Sequence, residues 1–226
     1  MTLIGRLLRV VMAAALIAAA AGAAAQDAKL LPADEAMSDP SWLRFKAHLL
    51  NALAKRDQKF IIGIVDGKIR NTTDRDGIAE FRKLWEPHSA SSPLWIELPK
   101  ILFLGGVYVK REKGLIEFCG PYIHYKWPDE APAKATGAII AKEVLVKSAP
   151  SADAATVLTL AYDLVNVIDW EVADENKDNR QPWVKIQTKA GVGFVPEEQI
   201  RSPLEYRTCF VKSGAGWRMT ALEVGE

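Results

Sequence analysis

Cys119 and His124 stand close together in the segment EFCGPYIHY, the pairing that a cysteine nucleophile and an imidazole base would need. A catalytic thiolate is activated at a helix start or beside a cation, whereas Cys119 falls in a predicted strand that ends in a Gly120-Pro121 bend. A structural cysteine suits that setting better. His48, His88 and His124 are the only histidines, and they show no zinc-ligand spacing; His48 belongs to the exposed flank of a predicted helix. Glu80, Glu86 and Glu97 lie on predicted helical segments, where carboxylates usually face water rather than a reacting bond. Gly105-Gly106 reads as a helix stop and not as a phosphate cradle. No catalytic residue, metal site or cofactor is expected from these sets.

The two cysteines, Cys119 and Cys209, form either one disulfide in an oxidising compartment or two separate buried thiols, and spacing does not choose between them. A different chemistry is suggested by PWVKIQTKAGVGFVPEEQI. Trp183, Lys185 and Gln187 fall on one face of a predicted strand, and Val184 and Ile186 on the other. The apolar pair faces a core, so a large aromatic is left on the polar side, where it would meet a second core or a ligand. Lys189-Ala190-Gly191 turns the chain into Val192 to Val195, and Pro196 ends the hairpin.

Several elements must hold these residues in place. Arg6 and Arg9 precede an apolar Ala- and Leu-rich run that ends in Ala23-Ala24-Ala25, the pattern of a signal peptide (residues 1–25) cleaved after Ala25. No cysteine near that site suggests a lipid anchor. About 200 residues would remain, enough for one or two domains. Hydrophobic residues make up 49% and charged residues 25%, and a net charge of +1 gives no electrostatic reason to expect nucleic acid.

Residues 26–38 read as a linker. Asp39-Pro40 then caps a helix on which Trp42, Phe45, Leu49 and Leu53 recur at helical spacing. KFIIGIV fits either a helix or a short strand. IAEFRKLW predicts a helix stopped by Pro87, and SPLWIELPKILFLGG an apolar segment interrupted by Pro99. Residues 39–127 are therefore expected as a mostly helical domain, with short strands at Tyr108-Val109, Leu115 to Phe118 and Tyr122 to Tyr125. The polar stretch PDEAPAKATG supplies a second linker at 128–135, and beyond it short strands and turns dominate.

The segment from Thr136 to Ser202 resembles the bacterial SH3-like (SH3b) family. VLVKSAPSADAATVLTL is similar to its first strand and loop, LVNVID to the next strand, and WVKIQTKAGVGFVPEEQI to its closing Trp-Val-x-Val, Gly-x-x-Gly-Trp-Val pattern, with Phe194 where the family has tryptophan. The match spans about a third of the chain. The resemblance implies a small β-barrel in an exported protein that binds rather than catalyses, with cell-wall peptide, peptidoglycan or an exported protein as partner. Its ligand would lie beside Trp183, walled by Tyr162, Trp170 and Phe194 and rimmed by EVADENKDNRQ. The alternative is an enzyme that uses a cleft in the N-terminal domain, with the SH3-like module for targeting: either a cell-wall hydrolase, which the same resemblance implies, or a small-molecule enzyme of cone fold, since the first helices and the closing Gly-x-Trp hairpin distantly resemble nuclear-transport-factor-like cones.

YRTCFVKSGAGWRMTALEVGE (203–226 with its lead-in) predicts a C-terminal hairpin that must find a sheet. Pairing with Leu115 to Tyr125 would bring Cys119 near Cys209; extension of the barrel sheet would not. The fold expected overall is α+β, a mostly helical N-terminal domain followed by an SH3-like barrel at 136–202 and the C-terminal hairpin.

Overall fold

The computed structural model describes residues 28–72, 75–179, 181–214 and 216–225. The expected signal peptide and its cleavage site lie outside them. Two compact units emerge, one discontinuous (32–127 with 203–226) and one made of 128–202 with the N-terminal residues up to 31.

In the discontinuous unit Asp39 caps α1 (Pro40–Ala54): its Oδ1 accepts the Ser41 N–H at 2.7 Å, and Pro40 occupies the first helical position, where a missing N–H costs nothing. The periodic residues Trp42, Leu49 and Leu53 are buried along one stripe. KFIIGIV divides at its last residue. α2 (Gln58–Ile64) runs straight into β1 (Val65–Asn71), where Asp66, Gly67 and Lys68 break the apolar alternation that would announce a strand. α3 (Ile78–Trp85) stops at Glu86 in a left-handed conformation, and α4 (Leu94–Phe103) continues through Pro99 rather than ending there. β2 (Val107–Lys110) and β3 (Ile116–Gly120) form an antiparallel pair. Tyr122 to Tyr125, expected as a strand, is one helical turn, α5 (Tyr122–Tyr125); Pro121, Tyr122 and Ile123 are buried in succession, which period two does not allow.

The C-terminal hairpin, β11 (Arg207–Ser213) and β12 (Gly216–Glu223), enters this unit between β1 and β3, giving the order β1-β12-β11-β3-β2 with β12 parallel to β1. One face of the sheet packs on the helices. Trp42 fills that interface, with ring centroids 4.3 Å from Phe118, 4.8 Å from Trp217 and 5.0 Å from Phe210.

The other unit contains β4 (Thr136–Ile139), β5 (Val144–Lys147), β6 (Thr156–Leu160), β7 (Leu164–Val172), β8 (Trp183–Thr188), β9 (Gly191–Pro196) and β10 (Ile200–Arg201). They form one seven-stranded sheet in the order β10-β4-β7-β8-β9-β5-β6. Its core is aliphatic: Ile139, Val144, Val146, Val165, Val184, Ile186, Val195 and Ile200 cluster together. Gly193 is required where β9 crosses β5, since a Cβ there would lie 2.3 Å from Val146 Cγ1. Residues 28–30, read as linker from the sequence, run beside the start of β7; Leu164 donates to the Ala28 carbonyl and Leu30 to that of Tyr162, both at 2.8 Å.

The expected fold class is therefore corrected. The molecule is mostly β, 36% strand against 28% helix, with the helices mainly N-terminal. Residues 32–127 are the larger part of a helix-and-sheet unit rather than a mostly helical domain, because their strands are completed by residues at the far end of the chain. Residues 136–202 do not form a small single barrel: the sheet has ends at β6 and β10. Period two identified the β8–β9 hairpin but not the short strands β4 and β10 or the arrangement of the sheet, which depends on pairings between segments remote in sequence.

Candidate binding site

The face assignment for β8 places Trp183 away from Val184 and Ile186, yet its ring is buried, at 2% exposure. The loop between β7 and β8 covers it. Asp174, itself buried, accepts hydrogen bonds through Oδ2 from Trp183 Nε1 and Asn179 Nδ2 and through Oδ1 from the Asn176 N–H, each at 2.8 Å. Asn176 and Asn179 in turn accept the N–H groups of Asp178 and Gln181. The Glu175 N–H donates to the Pro150 carbonyl at 2.9 Å. The charged stretch that the resemblance puts at the rim of a ligand groove is thus a chain of side-chain turns hung on one buried carboxylate. The recurrence of Asp and Asn at 174, 176, 178 and 179 was the available signal.

Beside this loop is an open cavity of about 510 Å³, lined among others by Trp170, Glu171, Val172, Asp174, Pro182 and Glu197. That volume suits a small ligand or a peptide side chain with its backbone. Trp170 and Pro182 supply apolar wall, Glu171 and Glu197 supply exposed carboxylates, and Lys177 is a cation at the same mouth. An ammonium group would find the Trp170 ring and these carboxylates together.

Of the four aromatics expected to share a groove, Trp170 lines this cavity. Trp183 lies under the loop as its anchor. Phe194 is half-buried on β9, opposite Lys185 on one side and Lys147 on the other. Tyr162 sits in the β6–β7 turn with φ 59° and holds the N-terminal segment through its carbonyl. A second cavity of about 260 Å³ is lined by Leu158, Leu160, Asp163, Gln187 and Lys189, among others.

In the discontinuous unit, Cys119 and Cys209 are bonded, with Cα atoms 4.1 Å apart. Cys119 is therefore no free nucleophile. His124 Nδ1 lies 3.1 Å from the Pro203 carbonyl, and burial, against the effect of that contact and with help from Arg207, pushes the imidazole below the usual histidine value. Glu97 pairs with Lys100 and Glu80 with Lys83 on their own helices. Glu117 is a buried carboxylate that sequence reasoning missed; a glutamate between Ile116 and Phe118 in an apolar strand was its signal. Its carboxylate and the two sulfurs lie within 4.8 Å of one another, but the sulfurs are consumed by their bond and the carboxylate by two arginines, so no metal is assigned there. Among the described residues no helix is long and apolar enough to cross a membrane. No family model, curated protein or solved structure matches this chain.

Proposed function

We propose that the protein is a non-catalytic exported binding protein whose seven-stranded unit holds a peptide portion of cell-wall material, or of an exported protein, against Trp170. The observation that carries this reading is the Trp170 cavity, where an aromatic wall and exposed carboxylates adjoin a loop pinned from below by Asp174 and Trp183. Such a site pays little ordering cost on binding, because the loop is already held. The amine-bearing stem peptides of peptidoglycan fit its chemistry. The resemblance of residues 136–202 to SH3b modules supports the same class of ligand.

The rival enzyme reading has less support. The interface between helices and sheet, where its cleft would lie, is filled by Trp42, Phe118, Phe210 and Trp217.

The test is sedimentation with purified peptidoglycan, run beside a zymogram on the same material. Binding without clearing is expected. Trp170→Ala should weaken binding by about 2 kcal/mol, as loss of a central aromatic does; because Trp170 also packs on the aliphatic core, binding is compared per folded molecule. Clearing of the zymogram, or wild-type binding by the Trp170→Ala protein, overturns the reading.

A further inference from the structure

Strand alternation divides the five-stranded sheet into two unlike faces. Phe118 and Phe210 point to the helices, so Glu117, Cys119 and Cys209 point the other way. There the sulfur bridge lies within a set of charged and polar groups. Arg111 Nη2 is 3.6 Å from Cys209 Sγ and 3.9 Å from Cys119 Sγ, and the Tyr125 hydroxyl is 3.1 Å from Cys209 Sγ. Glu117 Oε2 is 4.0 Å from Cys119 Sγ. Glu117 is fully buried and is held by Arg111 Nε at 2.8 Å, Arg70 Nη2 at 3.1 Å and the Thr220 hydroxyl.

An intact disulfide is uncharged and accepts hydrogen bonds weakly. A guanidinium and a phenol aimed at its sulfurs gain little from it while it is whole, and much once a sulfur is an anion. The two sulfurs also differ. Cys209 has both donors within 3.6 Å, whereas Cys119 has the carboxylate beside it. The arrangement favours charge on Cys209.

We propose that the Cys119–Cys209 bridge is a thiol–disulfide exchange site for a dithiol reductant, with Cys209 as the leaving sulfur and Arg111 and Tyr125 as the groups that hold its charge. One thiolate of the dithiol attacks Cys119 Sγ. A new S–S bond forms there, the Cys119–Cys209 bond breaks, and its electron pair remains on Cys209. The second thiolate of the reductant then attacks the reductant sulfur of the mixed disulfide, which closes the reductant's own disulfide and expels Cys119, and Cys119 takes up a proton. Two electrons pass from the dithiol to the protein; one of the dithiol's two protons ends on Cys119, and the other is released while Cys209 stays ionised. Both sulfurs are buried; Arg111, beside them on the β2–β3 turn, is 38% exposed and marks the side from which the dithiol would approach. The bridge spans a sequence separation of 90, and within it lies the whole of segment 128–202, so exchange would open the tie between the strands that this segment leaves and re-enters.

The experiment uses the oxidised full chain with dithiothreitol at neutral pH and no denaturant, trapped with iodoacetamide and mapped by mass spectrometry. Reduction of the folded protein is expected, with Cys209 alkylated before Cys119. In Cys119→Ser the alkylation midpoint of Cys209 should fall at least about one pH unit below that of a free thiol, roughly 8.5, and Arg111→Gln in that background should move it back up by a comparable amount, with Arg111→Lys restoring part of the shift. A bridge that yields only in denaturant, alkylation of Cys119 first, or a Cys209 midpoint indifferent to Arg111→Gln overturns the proposal. The first two readouts use the unaltered chain, so they stand even where a variant fails to fold.

Discussion

Trp42 and Trp183 are both buried, and the two units use them in opposite ways. Trp42 sits at the centre of an aromatic cluster between helices and sheet, and its Nε1 has no hydrogen-bond partner among the described residues. Trp183 lies on the side of its sheet away from the aliphatic core and gives its Nε1 to Asp174. The difference follows from what covers each sheet. A helix layer brings enough apolar surface to bury a tryptophan by packing alone; a ten-residue polar loop does not, and needs a hydrogen bond to hold its place.

Trp42→Ala is the most severe test of that contrast. Removing the ring empties the centre of the cluster and should cost about 3–5 kcal/mol, read as a loss of denaturant midpoint. A cost well below that would mean the aromatics around it can close the gap. Trp183→Phe keeps most of the ring and removes the donor to Asp174, so a loss of about 1–3 kcal/mol is expected together with faster hydrogen exchange over residues 173–182. Trp42→Phe removes no hydrogen bond and should leave that loop's exchange unchanged. Equal exchange in the two variants would end the distinction. The same logic assigns Trp183→Ala a primary effect on the fold, with ligand binding lost through the loop, rather than the direct loss of a contact that a surface tryptophan would suffer.

Acid separates the units further. All three histidines belong to the discontinuous unit, and burial pushes His124 below the usual value of 6.5. The unfolded chain then takes the proton more readily than the folded one, so His124 contributes stability above pH 6.5 that is lost as pH falls from there through the folded value. Arg207, Arg111 and Glu223 also act on it, with the arginines favouring the neutral ring. Unfolding followed against pH should show a downward slope below 6.5 that His124→Gln flattens; an unchanged slope would assign the effect elsewhere.

The smallest effect is expected at Asp39. Hydrogen bonds from Ser41 and Lys212 lower its carboxyl to about 2, so its contribution is in place above the ordinary aspartate value and is lost only as pH falls through about 2. Asp39→Asn keeps the helix cap and breaks the pair with Lys212, and its melting temperature should stay close to that of the unaltered chain and vary less with salt. A large loss would mean that the exposed pair matters more than its surroundings allow.

Local patterns carried the sequence a long way. The Asp39-Pro40 cap and the stripe of Trp42, Leu49 and Leu53 determined α1, and the alternation through WVKIQTKAGVGFVP determined the β8–β9 hairpin, because both signals repeat within a few residues. The turn residues of KSGAGW likewise called for β11 and β12. Tertiary structure alone decided that this hairpin lies between β1 and β3, that Tyr122 to Tyr125 coil into a turn, that seven strands join one sheet, and that a polar loop folds over Trp183. It also decided where Glu117 goes: a buried carboxylate is tolerable only with compensating partners, and Arg70, Arg111 and Thr220 come from three other segments of the chain. Periodicity and capping are properties of neighbours in sequence, whereas strand partnership and the covering of a polar face depend on which distant segments can satisfy one another, and the chain settles those only when it folds.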